Sequence, residues 1–190
     1  MTKTSRFTTA VLVLIPVVVG INYAGKFFAE FLKLPLWLDS IGTILASILA
    51  GPVVGGLSGA INNIIYGLTA GPISFVYALT SIGIGVAAGL LYKAKMFENA
   101  FRALLSGLII ALVATIISVP LNVIFWEGQT GNIWGDALFA FLMSKNVGIW
   151  LSSFFDELVV DLVDKVLSVF IAFGIFKVLP KTLVYTFKEE

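Results

Sequence analysis

The sequence contains no cysteine and no histidine, and only 12% of its 190 residues are charged. Without cysteine the chain has no disulfide framework and no thiol nucleophile, and without histidine the ordinary zinc and haem sites lack their usual ligands. The net charge of +1 gives no reason to expect a nucleic-acid partner. We therefore expect no metal site and no binding to nucleic acid.

Hydrophobic residues make up 59% of the sequence, and the mean hydropathy is +1.04. Soluble domains have about a quarter charged residues, so this composition indicates an all-α integral membrane protein with short loops. No polar or low-complexity tract is long enough for a second domain, and we treat 1–190 as one transmembrane substrate-binding domain. Lys3 and Arg6 precede an apolar run as in a signal peptide, but the run has no A-x-A site and is interpreted as the first span.

Six apolar segments predict six transmembrane helices. The second and third are short for a full span and are expected to be tilted or shielded by neighbouring helices. A polar, aromatic loop at 126–136 and an amphiphilic surface or re-entrant helix at 137–153 separate the last two. The predicted spans are 7–32 with a kink at Pro16, 41–50, 53–69, 74–92, 101–125 with a kink at Pro120, and 154–179.

The distribution of lysine and arginine predicts that both termini are cytoplasmic. The outer face then carries the links 33–39, 69–73 and 126–153. Its ends hold only Lys26, Lys33 and Lys145. The inner segments hold Lys3, Arg6, Lys93, Lys95, Arg102, Lys177, Lys181 and Lys188.

The last predicted span carries ionisable residues deep in its apolar run. Glu157, Asp161, Asp164, Lys165 and Ser168 recur at spacings of three and four, so they lie on one stripe of a helix. Asp161 and Lys165 are spaced to pair. Charges within a membrane are costly, and this stripe indicates a ligand cavity open to the outside. The alternative is a buried ion pair that only fixes helix packing.

Other polar side chains are candidates for the same cavity. Asn62 and Tyr66 share one face of the third predicted helix, and Asn63 adjoins them. Asparagine in a span also serves as a contact between helices, which is the alternative. Further candidates on the first and fourth predicted helices are Asn22, Lys26, Glu30, Tyr77 and Ser81.

Tryptophans flank the long outer loop. Trp126, Trp134 and Trp150 are typical of an aromatic belt at the membrane interface. The alternative is a mobile lid in which Trp126 and Trp134 cover the ligand, with nearby glycines supplying flexibility. Trp37, in the first short link, is interpreted as an interfacial residue.

Small residues recur every four positions across the second and third predicted helices. This spacing lets helices approach closely, either inside the subunit or against a partner membrane subunit. The repeat consists of Gly51, Gly55 and Gly59, and Ala46 and Ala50 extend the stripe upstream.

The sequence contains no GxxxxGK[ST] nucleotide-binding signature, no catalytic triad and no metalloprotease motif. Any ATP-driven step must therefore be carried out by other chains. We expect a protein that is not an enzyme and binds no cofactor of its own.

The segment GPVVGGLSGAINNIIYGL and the closing DLVDKVLSVFIAFGIFKVLPK, with six spans in about 190 residues, resemble the substrate-binding S components of energy-coupling factor (ECF) vitamin transporters. The resemblance implies a chain in a bacterial plasma membrane that captures a vitamin from outside. It also implies docking on a transmembrane coupling subunit with two ATPase subunits, which hold the ATP and magnesium. The S component then topples within the bilayer to release the vitamin inside.

One departure from the family concerns docking. S components commonly use an alanine-x-x-x-alanine motif in the first helix, where this chain has Ala10 followed by Leu14. Gly20 and Ala24 keep the small-residue spacing and are docking candidates. The stripe of Ala46, Ala50, Gly55 and Gly59 is the alternative surface. We expect leucine at Gly55 and Gly59 to abolish assembly while sparing ligand binding.

Lys165 is expected to be paired with Asp161, so no deep cation is available to bind an anionic ligand. Walls of asparagine, tyrosine and tryptophan instead favour a large, nearly neutral, amide-rich ligand. Cobalamin or a related corrinoid fits this description, and pantothenate, folate or riboflavin are alternatives. Two other classes stay open at this point. One is a membrane sensor or scaffold without a transported ligand, and the other is a secondary carrier that uses Asp161 and Lys165 for proton coupling.

Overall fold

The computed structural model describes residues 8–187 as eight α-helices and one short 3-10 helix at Pro72–Phe75, with no β-strand in that range. Their bounds are α1 (Thr9–Phe31), α2 (Ile41–Ala50), α3 (Pro52–Thr69), α4 (Ala78–Lys93), α5 (Ala100–Trp126), α6 (Ile133–Ser144), α7 (Ile149–Val178) and α8 (Lys181–Thr186).

Local sequence explains where several helices begin. The side chain of Thr8 accepts a hydrogen bond from the Val11 N–H at 3.3 Å and caps α1. Asn99 caps α5 in the same way. Gly51 has a φ of +89°, a conformation that glycine adopts without strain, and Pro52 follows as the first residue of α3. The Gly51–Pro52 pair therefore breaks one long apolar segment into α2 and α3.

The observed helix lengths support some of the predicted transmembrane spans more than others. Within the described residues, α1 and α5 are long and apolar enough to cross a membrane. Helix α2 has 10 residues and is about 15 Å long, roughly half the thickness of the hydrocarbon core. The six-span topology and the cytoplasmic termini stay predictions. Lys3, Arg6 and Lys188, which contributed to them, lie outside the described residues.

The structure corrects the expected arrangement between the last two predicted spans. The 126–136 loop ends earlier than expected, because α6 already begins at Ile133. A single helix at 137–153 was wrong. Residues 145–148 interrupt it, with Asn146 in the left-handed conformation at φ +60°, and α7 begins at Ile149 rather than 154. The short helix α8 was not predicted.

Glycines allow α3 and α4 to pack with their backbones in contact. A Cβ atom added at Gly85 would lie 2.3 Å from the backbone nitrogen of Gly56. A Cβ atom at Gly55 would lie 1.8 Å from the hydroxyl oxygen of Ser47 on α2. No side chain fits at either position unless the helices move apart. The small-residue stripe therefore holds α2, α3 and α4 together.

The interior of the bundle is divided into an apolar half and a polar half. On α1, α5 and α7 the buried residues are mainly apolar towards one end of the helix and mainly polar towards the other. Apolar residues such as Val18, Ile110 and Val169 fill one half, and buried polar and charged side chains fill the other. Outward-facing residues of α1 and α5, by contrast, are large and apolar, including Val13 and Ile116. The bundle thus has an apolar exterior around a polar interior half, the reverse of a soluble protein's surface pattern.

Candidate ligand cavity

The polar half of the bundle encloses a cavity of about 70 Å³. Its walls come from α1, α4, α5 and α7, from the two links that follow α1 and α5, and from the 3-10 helix and the residue just before α4. The expected site residues Lys26, Tyr77, Asp161 and Lys165 belong to the wall. The lining residues are Lys26, Glu30, Trp37, Asp39, Ile73, Tyr77, Thr80, Ser81, Ile84, Ser118, Thr130, Glu157, Asp161 and Lys165.

Lys165 lies among three carboxylates. Its ammonium nitrogen is 2.5 Å from Asp164 Oδ2, 3.5 Å from Asp161 Oδ1 and 3.6 Å from Asp39 Oδ1. The expected pair between Asp161 and Lys165 is thus part of a larger cluster. The hydroxyl of Thr115 donates to the second oxygen of Asp161 at 3.0 Å. Of the three contacts, the one with Asp164 is a hydrogen bond, and those with Asp161 and Asp39 are ion pairs.

Asp164 also fastens the link between α1 and α2 to α7. Its Oδ1 accepts the backbone N–H of Trp37 at 3.0 Å and that of Leu38 at 2.7 Å. The link also lies against α1, because a Cβ atom at Gly25 would be 2.2 Å from the Leu38 carbonyl oxygen. Trp37 and Asp39 consequently form one wall of the cavity. The residues 32–40 close this side of the site.

A second polar network connects α1, α3 and the 3-10 helix. The Lys26 ammonium donates to the Ser74 hydroxyl at 3.1 Å, and Ser74 donates to Asn63 Oδ1 at 2.8 Å. Lys26 also lies over the ring of Tyr66, 4.6 Å from its centre. The Tyr66 hydroxyl donates to Glu30 at 2.5 Å. Lys26 is therefore a second deep lysine, whereas the sequence indicated Lys165 alone.

A third network joins α4, α5 and α7. The Tyr77 hydroxyl donates to Asn122 Oδ1 at 2.5 Å, and the Asn122 amide donates to Glu157 Oε2 at 2.8 Å. Glu157 is 5% exposed and lines the cavity. No lysine or arginine nitrogen lies within 4 Å of its carboxylate among residues 8–187. Glu157 is thus a buried carboxylate whose hydrogen-bond partner is a neutral amide.

Several expected ligand residues lie outside the cavity wall. Asn22 holds α2 against α1, since its Oδ1 accepts the Gly42 N–H at 2.6 Å and its amide donates to the Thr43 hydroxyl at 2.9 Å. Asn62 is fully buried, and neither polar atom of its side chain has a hydrogen-bond partner in the described part of the chain. Asn63 and Tyr66 support the wall through Ser74, Lys26 and Glu30, without lining it.

Trp126 and Trp134, which the lid alternative placed over the ligand, also lie outside the cavity wall. Trp134 is 62% exposed and its indole N–H donates to the Lys33 carbonyl at 3.3 Å. Trp126 is the last residue of α5. Thr130 and Gly131 lie between the two tryptophans, and their backbone N–H groups donate to Asp136 on α6, which fixes this part of the link. The tryptophan in the wall is Trp37, whose place in a short link had indicated only an interfacial residue.

Sequence reasoning missed polar residues of α4 and α5 in the wall. Thr80 and Ser118 share a hydrogen bond at 3.0 Å, and both line the cavity. A signal for α5 was present in the sequence. Thr115, Ser118 and Asn122 recur at spacings of three and four within an otherwise apolar helix, which places them on one face. Asp39 and Thr130 follow helices in short links and had no such signal.

The docking candidates divide into two groups. Gly20 and Ala24 lie on the exposed face of α1, and no atom would come within 4 Å of a Cβ at Gly20. Ala46, Gly55 and Gly59 are buried between helices, and Ala50 is half-buried. This burial argues against the surface we expected on the second group. Leucine at Gly55 or Gly59 would disrupt the subunit itself, so the experiment expected to separate assembly from binding loses its basis.

The apolar exterior and the charged interior define the class: a helical membrane protein with a polar cavity within its bundle. The family model described as the ECF transporter, substrate-specific component, matches residues 7–187. The chain belongs to this family, as the resemblance indicated. No curated protein and no solved structure matches the chain. Family members are substrate-binding membrane subunits without their own ATPase, and membership implies a vitamin ligand and an ECF module as partner.

Proposed function

We propose that this chain captures a small, water-soluble vitamin from outside a bacterial plasma membrane and delivers it inward on an ATP-driven coupling module. The observation that carries the proposal is the cavity, which is enclosed by buried charged and hydroxyl side chains inside an apolar exterior. Charged groups at such depth are costly to bury, and a polar ligand that they bind is the usual reason for them.

The cavity volume bears on ligand size. Pockets for drug-sized ligands measure about 300–1,000 Å³, and this one measures about 70 Å³. The conformation is therefore closed, and its walls must separate to admit a vitamin. A corrinoid, which the sequence favoured, requires the largest separation. We rank a small vitamin ahead of cobalamin on this ground, and keep cobalamin within the binding panel.

Entry of the ligand would involve the residues 32–40. They are fastened by Asp164 and Lys165, and are otherwise a short link between α1 and α2. Delivery inward would follow docking through the exposed small residues Gly20 and Ala24 on α1. The subunit would then topple against the coupling subunit while the two ATPase subunits hydrolyse ATP.

Two measurements test this function. Isothermal titration calorimetry of the purified subunit in nanodiscs against B vitamins, cobalamin included, is expected to give a submicromolar Kd without ATP. Uptake of the bound vitamin into vesicles is expected only when the coupling subunit and both ATPases are present with ATP. Uptake by the chain alone, abolished by a protonophore, would instead establish the secondary carrier. If the chain binds no vitamin and supports no uptake, the result would favour the alternative of a membrane sensor or scaffold.

A further inference from the structure

The cavity wall carries an excess of negative charge. Among the described residues that line it, four are carboxylates and two are lysines. Asp164 adds a fifth carboxylate, because it lies against Lys165 directly behind the wall. Uncompensated charge is costly where water is excluded, and a bound ion of opposite sign removes that cost. The carboxylates in the wall are Glu157 and Asp161, which are buried, Asp39, which is half-buried, and Glu30, which is exposed.

Neither lysine is free to bind an anion at low cost. The ammonium of Lys165 faces three carboxylates, so a ligand anion would have to displace one of them. Lys26 donates to Ser74 and lies over the ring of Tyr66, whose hydroxyl is bonded to Glu30. Glu30 therefore balances Lys26 through the tyrosine between them. Anionic ligands are disfavoured on both sides of the cavity.

Glu157 is a buried carboxylate with no lysine or arginine nitrogen within 4 Å among the described residues, and Lys165 acts on it only from a greater distance. Its bonded partner, the Asn122 amide, is neutral; Asn122 also accepts from the Tyr77 hydroxyl, and Tyr77 and Ser118 line the same cavity. The faces of aromatic rings attract cations, and both Tyr77 and Trp37 belong to the wall. The geometry thus offers one site with a carboxylate and aromatic rings, but no spare positive group.

We infer that the ligand is a small organic cation whose positive charge lies against Glu157, between the rings of Tyr77 and Trp37. This inference rests on the proposed capture function and narrows its substrate class. It ranks ammonium- or azolium-bearing vitamins above the neutral and anionic ones. Pantothenate and folate, which are anions, fall to the bottom of the list.

Ligands matched in size but not in charge test the inference on the unaltered protein. Thiamine is a cation. Pyridoxamine carries an aminomethyl group, which is positively charged, where pyridoxine carries a neutral hydroxymethyl group. Pantothenate carries a negatively charged carboxylate where pantothenol carries a neutral alcohol. We expect calorimetry to show that a cation binds at least about 30-fold more tightly than its neutral counterpart. We expect pantothenate to bind no better than pantothenol.

A substitution at Glu157 tests whether this carboxylate binds the positive charge of the ligand. Glu157→Gln keeps an acceptor for Asn122 and removes the negative charge, so it is expected to weaken cation binding at least about 30-fold while leaving neutral compounds unaffected. Glu98→Gln is the matched control, because Glu98 pairs with Arg102 at the surface and is remote from the cavity. Equal losses in both variants would overturn the assignment to Glu157.

The possible results separate the two proposals. If pantothenate or a neutral vitamin binds most tightly, the cation inference is overturned while vitamin capture stands. If no compound in the panel, cobalamin included, binds at millimolar concentration, both proposals fail. Tight binding of a cation that Glu157→Gln abolishes supports both.

Discussion

The carboxylate of Asp164 accepts the backbone N–H of Leu38 at 2.7 Å, although the two residues lie 126 positions apart. The same carboxylate group binds Lys165 through its other oxygen. One buried side chain therefore connects the closing link of the cavity with the charged stripe of α7. Any change that weakens this connection is expected to open the site.

Asp164→Asn tests that connection. The substitution removes the charge that strengthens two hydrogen bonds from residues 37 and 38, and a hydrogen bond to a charged group contributes about 1.5–3 kcal/mol. The chain has no cysteine, so a Ser118→Cys reporter in the cavity wall is its only thiol. We expect Asp164→Asn to raise the labelling rate of this thiol by roughly tenfold or more. Glu127→Gln, at an exposed position, is the control, and equal rates would refute the connection.

Lys165→Met removes the cation that three carboxylates share. Breaking a buried ion pair by deleting one partner costs about 3–5 kcal/mol, because the remaining charges stay buried and uncompensated. We expect a corresponding fall in the thermal unfolding temperature of the purified subunit. Lys177→Met, at an exposed position of the same helix, is expected to change stability by less than about 0.5 kcal/mol. Similar unfolding temperatures for the two variants would contradict the cluster's role.

Gly85→Ala tests the close contact of α3 and α4. The new methyl group would meet the backbone at Gly56 at 2.3 Å, and overpacking of this kind costs about 1–3 kcal/mol. Gly174→Ala is the matched control, since no atom lies within 4 Å of a Cβ there and alanine favours the helix. Thermal unfolding of both variants gives the comparison. An unchanged Gly85→Ala protein would show that the helices pack less closely.

Gly20→Leu tests the docking surface proposed on α1. The added side chain meets no atom of the subunit within 4 Å of its Cβ, so folding and ligand affinity are expected to be unchanged. Close approach of a partner helix would be blocked. We expect co-purification with the coupling subunit to be lost. Gly174→Leu places the same side chain on an exposed position of α7 and is expected to assemble normally; assembly of both variants would exclude Gly20 from the interface.

Asn22 of α1 and Asn62 of α3 are both buried, and they are expected to behave differently when each is replaced by alanine. Asn22 bonds Gly42 and Thr43, whereas Asn62 makes no hydrogen bond within the described residues. An unpaired buried polar group costs about 1–3 kcal/mol. Asn22→Ala leaves its hydrogen-bond partners buried and unpaired, which lowers stability. Asn62→Ala instead removes a side-chain amide that is already unpaired. We expect Asn22→Ala to lower the unfolding temperature more. Ligand affinity is expected to be unchanged in Asn22→Ala, and a selective loss of affinity would restore its binding role.

Sequence patterns were reliable where helices are long and their periodicity is strong. The stripe from Glu157 to Ser168 predicted one buried polar face on α7, and every ionisable member of it is buried there. The Gly51–Pro52 break and the turn before α4 followed from local backbone chemistry. The bounds of α6 and α7 did not, because apolar residues continue on both sides of the turn at residues 145–148 that divides the two helices.

Composition and periodicity determined that this chain is helical, embedded in lipid, and charged inside, because a charge deep in an apolar segment is too costly to face lipid and must turn towards the protein interior. Only the tertiary structure decided which of those charges meet. Asp39, in the link between α1 and α2, forms an ion pair with Lys165 on α7. The side chain of Asn62, on a helix face that also predicted ligand contacts, has no hydrogen-bond partner among the described residues. Such distant contacts depend on how helices rotate and approach one another, and that is set by the summed packing of the whole bundle rather than by the spacing of residues within one helix.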